Sequence, residues 1–406
     1  MRKGTRVLAA AALALMVPVL AAASTARMSG LNVPGDYVKG DYTGMFTYMS
    51  EVNSVGNLAY VEAGSVARGL TDHAVGAVLP GLFDGKYGVW SFHLRQTHPA
   101  LGQSANFGLI NTGHDSADPN YAGEAFDIIW GHKMGNGNLA LRLNRSFESY
   151  DDGTEVQEGD GNTGRNILGF GGGYGWDMNA NTQVELGALY QQRSFDDGGT
   201  GALTDDGGTA MLLAARAFRK ASGNLTVIPA VKYWSIDQST TNGTTSTTAK
   251  YSGWQAGAAG NWSVGSDDLL VFGANFAQNK GDFGDGNEDT QTFMPNVFMA
   301  LETHLNPWLS FRAGAQNAMF YSYSEKYTGG EDKWKEHYFT FNLGTTVKMG
   351  NLVFDATLDP AFLQNPFAQL MGGDNAFYYN SYYNKGRVDG FTNGFVFPTV
   401  SATYTW

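Results

Sequence analysis

Three groupings in this sequence have the residue types for chemistry. His114-Asp115-Ser116 holds the ingredients of a hydrolytic triad. Three adjacent loop residues without a nucleophile elbow cannot aim a hydroxyl, its base and an orienting acid at one carbonyl. The acidic runs Asp151-Asp152-Gly153, Glu158 to Asn162, Asp196 to Gly199, Asp205 to Gly208 and Asp282 to Asp289 have the composition of calcium loops. None has the glycine and glutamate spacing of an EF-hand, so they read as solvated surface loops. The glycine-rich stretch Gly169 to Gly175 lies mid-strand with no helix after it, which excludes a phosphate cradle and leaves close packing or a bend. No enzymatic activity, metal or cofactor is expected from these groups.

A different set of charged residues does have a pattern. Arg95, Asp127, Arg142, Glu185, Glu302, Arg312 and Asp355, with the amides Asn144, Gln255, Asn275 and Asn342, each fall on the polar side of a stretch in which apolar and polar residues alternate. In Lys86 to Gln96, for example, Trp90, Phe92 and Leu94 alternate with Ser91, His93 and Arg95. Period-2 alternation marks strands with one greasy and one wet face. About fourteen such segments of roughly nine to twelve residues follow from Lys86, the length a tilted strand needs to cross a bilayer. In Thr209 to Arg219 and Asn224 to Ile236 both faces are apolar, so neither face is assigned.

The connections alternate between short and long. Short ones, such as Met134 to Asn138 and Met349 to Asn351, carry turn residues; long polar ones include Thr97 to Gly123, Asp237 to Ala249, Lys280 to Thr290, Ser324 to Trp334 and Asp359 to Gly394. This asymmetry, and the need to satisfy every amide in lipid, predict an all-β, closed antiparallel transmembrane β-barrel of about 14 strands, within a range of 12 to 16. The seven charged residues would then line its lumen, and any substrate pathway would run past Arg95, Arg142 and Arg312.

Export is read from the N-terminus. Arg2, Lys3 and Arg6 precede the apolar run Val7 to Leu20 and the small residues Ala21 to Ala23, the order of a cleaved secretory signal, with cleavage after Ala23 or Ala26. Losing those three cations takes the formal charge from -12 to -15, which argues against a nucleic-acid partner. The chain has no cysteine, so no disulfide or lipid-modified cysteine holds it. The predicted organisation is a signal over 1–23, an N-terminal plug or periplasmic segment over 24–84, and a barrel over 85–406.

The last stretch, Thr399 to Trp406, alternates cleanly and ends on Tyr404 and Trp406. In this it resembles the bacterial outer-membrane barrel families, whose final aromatic residue is read by the barrel-assembly machinery. The resemblance implies the outer membrane of a Gram-negative-type cell, with its lipid, lipopolysaccharide and assembly machinery as partners. Val78-Leu79-Pro80, then Lys86-Tyr87-Gly88 leading into Phe92-His93-Leu94-Arg95, and Leu305-Asn306-Pro307-Trp308-Leu309 leading into Phe311-Arg312-Ala313-Gly314, resemble the FadL-like and PorV-like transporters. That resemblance implies a plugged or gated channel for a small solute, hydrophobic in that group. The contrasting expectation is a non-conducting scaffold or adhesin acting through its long loops, with Tyr378, Tyr379, Tyr382 and Tyr383 as contacts.

Overall fold

From Leu58 onward the described chain is almost entirely strand. The computed structural model describes residues 24–65, 71–95, 125–150, 163–196, 203–242, 245–265, 268–284, 286–358 and 399–406. The first eight strands are β1 (Leu58–Ser65), β2 (Thr71–Leu79), β3 (Val89–Arg95), β4 (Ala125–Met134), β5 (Gly137–Tyr150), β6 (Thr163–Asn179), β7 (Thr182–Asp196) and β8 (Leu203–Lys220). The second eight are β9 (Leu225–Asn242), β10 (Thr245–Val264), β11 (Asp268–Asp282), β12 (Glu288–Asn306), β13 (Leu309–Tyr327), β14 (Gly330–Met349), β15 (Leu352–Leu358) and β16 (Thr399–Thr405). Each pairs antiparallel with its neighbours in sequence, and β16 returns to β1 from Leu58↔Thr405 to Gly64↔Thr399. The sheet closes into a ring in which every strand pairs with two neighbours.

Sixteen strands replace the expected fourteen or so. The two additions, β1 and β2, lie within 24–84, the stretch read as the N-terminal segment. Their Ala- and Gly-rich sequence gives a weak alternation signal, and they are strands because they close the ring. Four predicted long loops are also mostly strand, among them Ser194 to Gly208, which β7 and β8 enter from either side. β9 and β10 extend into Asp237 to Ala249, β11 and β12 into Lys280 to Thr290, and β13 and β14 into Ser324 to Trp334. There the ladder continues on backbone hydrogen bonds although neither face needs to be apolar. The loops at 97–123 and 359–394, with their tyrosine cluster, and His114-Asp115-Ser116, lie largely or wholly outside the described residues.

The two faces of the wall differ as the alternation predicts. Val61, Phe92, Leu94, Leu141, Phe170, Leu213, Val231, Phe272, Met299 and Val400 are exposed on the outside. An apolar girdle carried by strands all round a cylinder far exceeds the patches water tolerates, so the wall is built to face lipid. No helix among the described residues is long and apolar enough to cross a membrane; the crossing is made by strands.

Inside the ring lies the chain from Ser24 to Val55. It folds as α1 (Thr25–Leu31), 3-10 turns at Gly35–Tyr37, Tyr42–Phe46 and Met49–Glu51, and α2 (Val52–Val55). Helices this short hold only by packing. α1 is capped by Ser24, whose side chain accepts from the Arg27 amide, and ends at Asn32 in the left-handed conformation. Tyr42, Met45, Phe46, Met49 and Val52 are buried with the wall residues Tyr60, Ile129, Ala140 and Leu189. Leu31, Val33, Tyr37 and Val38 are buried with Phe218, Ile228, Val271 and Phe298.

Inward-facing glycines make room for this segment. A Cβ on Gly314 would stand 1.6 Å from the Leu31 carbonyl oxygen, and one on Gly187 would stand 1.9 Å from that of Thr47. A Cβ on Gly173, in the run singled out by sequence, would stand 3.0 and 3.1 Å from the Met49 and Ser50 amide nitrogens. On the outer face a Cβ on Gly172 meets nothing closer than 3.6 Å. Gly187→Ala and Gly314→Ala should therefore expose the segment to protease, at about 1–3 kcal/mol of overpacking, while the barrel keeps its heat-modifiable migration on gels. Gly172→Ala should behave as wild type.

Candidate functional site: a belt of ion pairs inside the barrel

All seven charged residues picked out by alternation point inward and are less than a tenth exposed. Most lie within about six residues of the tight-turn end of their strands, so they form a belt at one level. The inner segment is tied to this belt in three places.

At the first, Arg27 of α1 meets Glu302 of β12 through Nε at 2.8 Å and Nη2 at 2.7 Å. Arg312 of β13 bridges Glu302 at 3.4 Å and Asp355 of β15 at 2.9 Å. Ser24 donates its hydroxyl to Asp355 at 2.9 Å. Close by, Glu62 of β1 accepts from the Thr25 amide at 2.8 Å, the Thr25 hydroxyl at 2.7 Å and the Tyr42 hydroxyl.

The second tie is centred on Asp127 of β4. It accepts from Arg142 of β5 at 2.8 and 2.6 Å and from Asn144 at 3.0 Å, with Arg95 of β3 at 3.4 Å. Arg142 also donates to the Phe46 carbonyl at 2.7 Å, and the Arg95 guanidinium stacks 3.4 Å from the Phe46 ring centre. This phenylalanine is the knob held between the two arginines. At the third tie, Arg216 of β8 is shared by Glu185 of β7 at 2.8 Å and Glu51, and lies over the Tyr48 ring at 3.9 Å. Lys232 of β9 and the Tyr48 hydroxyl donate to Asp36 at 2.8 and 3.1 Å.

Sequence reasoning missed Arg216, Glu62 and every charged residue of the inner segment. Arg216 stands with Arg219 in the two-sided apolar stretch that left β8 unassigned, and Glu62 lies in the unrecognised β1. The inner segment has no period to read. Tyr404 and Trp406 stack at 6.0 Å on the outside of the last strand. The acidic runs at 151–162 and around 197–202 lie wholly or partly outside the described residues.

Eight buried carboxyls (Asp36, Asp41, Glu51, Glu62, Asp127, Glu185, Glu302, Asp355) face six cations (Arg27, Arg95, Arg142, Arg216, Lys232, Arg312). Burial raises the proton affinity of two carboxyls on the inner segment. Burial pushes Glu51 up to about 8, reinforced by the Glu185 and Asp41 carboxylates and opposed by Arg216. Burial also pushes Asp41 up to about 6, against Arg27 and Thr43. Asp36 goes the other way, because Lys232 and Arg216 outweigh its burial.

No family model matches this sequence, and no curated protein matches it. Solved structures with a similar course include the CymD monoaromatic hydrocarbon channel, at 8% identity and TM-score 0.41 over 96% of this chain and 98% of that one. The Pseudomonas putida toluene transporter TodX is similar at 9% identity and TM-score 0.38, over 83% and 92%. The ferric yersiniabactin uptake receptor FyuA from Yersinia pestis is similar at 10% identity and TM-score 0.39, over 74% of this chain. This chain spans 54% of that receptor's length and 60% of the copper transporter OprC's. The barrel assignment rests on the strand pairing described above, and no solute is taken from these proteins.

Arg142→Ala would leave Asp127 buried with its main partner gone, so it should destabilise the folded protein by about 3–5 kcal/mol. Adding Asp127→Asn should restore much of that loss in detergent unfolding. The pH dependence has a definite sign. Asp41 and Glu51 bind protons more tightly docked than at their ordinary values of 3.8 and 4.5, so docking is strongest below those values. It should weaken as pH rises through about 6 and then about 8. Protease protection of the inner segment should follow that course in wild type and lose its upper step in Glu51→Gln.

Proposed function

We propose that this protein is an outer-membrane channel, exported by a cleaved signal, whose N-terminal segment from Ser24 to Val55 is a plug that gates passage of a small solute. The observation that carries this reading is the chemistry of the plug's attachment. A segment serving only as filler would be held best by apolar packing, because burying ion pairs gains little or nothing over well-packed hydrophobic residues. Here three charged clusters hold it in addition to its apolar contacts, two of its carboxyls are poised to change charge, and the wall closes through β1 and β16 without it. A ring of sixteen strands with its filling displaced is wide enough for an aqueous path. Arg95, Arg142 and Arg312 would then line that path, released from Phe46, Glu302 and Asp355. Tyr404 and Trp406 are proposed as the signal for barrel assembly in a membrane of lipid and lipopolysaccharide.

The contacts of Ser24 and Thr25 choose between the two cleavage points. Cleavage after Ala26 would delete the helix cap and the bonds to Asp355 and Glu62, so the mature chain should begin at Ser24 by intact mass. For the channel itself, liposomes carrying a variant lacking Thr25–Val55, or Gly187→Ala, should swell in small neutral solutes several times faster than wild-type liposomes. Vesicles that stay tight in every case would favour the scaffold reading instead.

A further inference from the structure

Beyond the charged belt, toward the end of the barrel with the long loops, the described residues of β9 to β14 place no ion-pair cluster of the belt's kind on the inner wall. Its register sets a single transverse row: Trp234 opposite Gly253, Gly253 opposite Asn279, Asn279 opposite Gln291, Gln291 opposite Tyr323, and Tyr323 opposite Trp334. At the strand spacing of about 4.8 Å the row runs roughly 24 Å round the lumen. It is aromatic at both ends and carboxamide in the middle.

Each position fits its neighbours. Gly253 is bare because a Cβ there would stand 2.2 Å from the Trp234 indole and 2.6 Å from the Asn279 carbonyl oxygen. Tyr323 and Trp334 pack ring against ring at 4.7 Å, and the Tyr323 hydroxyl donates to Asp289 at 2.8 Å. Asn279 is 1% exposed, yet among the described residues neither its side-chain nitrogen nor its side-chain oxygen has a hydrogen-bond partner, and the Gln291 side-chain oxygen has none either. Buried side-chain amides almost always find partners, so two adjacent unsatisfied ones ask for an explanation in what they bind.

We propose that this row is a binding site for a neutral oligosaccharide. Carboxamides offer donors and acceptors without charge, as hydroxyl groups do in return, and indole and phenol faces pack on the apolar face of a sugar ring while leaving its hydroxyls to the amides. A hydrocarbon would leave Asn279 and Gln291 unsatisfied. An anion would find no cation in the row and would meet Asp289 beside it. The inference rests on the channel reading for its route of entry and names the solute class that would use it.

The test is calorimetric titration of the full-length protein in detergent with maltotetraose, cellotetraose and chitotetraose, alongside octane and octanoate. At least one tetrasaccharide should bind saturably, and octane and octanoate should not compete. Binding should weaken at least tenfold in Asn279→Ala/Gln291→Ala. Should that pair fail to fold, Tyr323→Ala at the rim should show the same loss while Tyr323→Phe keeps the affinity. Folded wild type that binds none of the three, or variants that bind as well as wild type, would overturn the proposal. Solute passage without saccharide binding would sink this inference alone; saccharide binding to a barrel that never conducts would uphold the row and sink the channel.

Discussion

The constraint from which everything else follows is that a strand wall in lipid must have no unpaired edge. Here the seal is the ladder between β1 and β16, made from the chain's first strand and its last. Once that contact forms, every strand has two partners, each side chain must point to lipid or lumen, and the period of two becomes compulsory. The apolar girdle and the inward charges are two consequences of one closure. It also fixes where the N-terminal segment enters. β1 begins at the tight-turn end, so the residues before it pass into the lumen there and meet the belt at that level.

A lumen sixteen strands wide cannot be filled by wall side chains alone, and how it is filled separates stuffing from a device. The turn-side half holds a short, poorly helical segment pressed close to glycines and anchored through charges shared between segment and wall. Neither partner of such a pair tolerates the other's removal, which makes docking specific without making it strong. Farther along, the wall changes character. Leu189, Leu212 and Ile236 give one side an apolar lining, while the opposite side carries amides and aromatic rings. A charged belt below and an uncharged, hydrogen-bonding wall above give the lumen two different surfaces in succession.

Much of this was legible in the sequence, for a physical reason. Lipid on one side and polar lumen on the other write themselves directly into alternation, so Arg95, Asp127, Arg142, Glu185, Glu302, Arg312 and Asp355 could be placed inward from the order of residues alone. The signal fades where either face loses its contrast. Arg216 sits among alanines on both faces. β1 and β2 are short and rich in small residues, and beyond the membrane both faces of β9 to β14 are wet, so their outer portions read as loops. The plug's partners were invisible because an aperiodic segment carries no facing information. The aromatic and amide row was hidden differently: it depends on register, and bulges in β11 to β13 shift that register by amounts the sequence does not announce.

The central claim, that the segment before β1 lies inside the sealed wall, is tested most directly by a cross-link in the membrane. With no native cysteine among 406 residues, Asn32→Cys and Thr340→Cys replace side chains that hydrogen-bond at 3.0 Å between plug and β14. Oxidation of this variant in outer-membrane vesicles should join the two positions within one chain, seen as a linked peptide by mass spectrometry. Two thiols that stay unlinked and react freely with a membrane-impermeant maleimide would contradict the account.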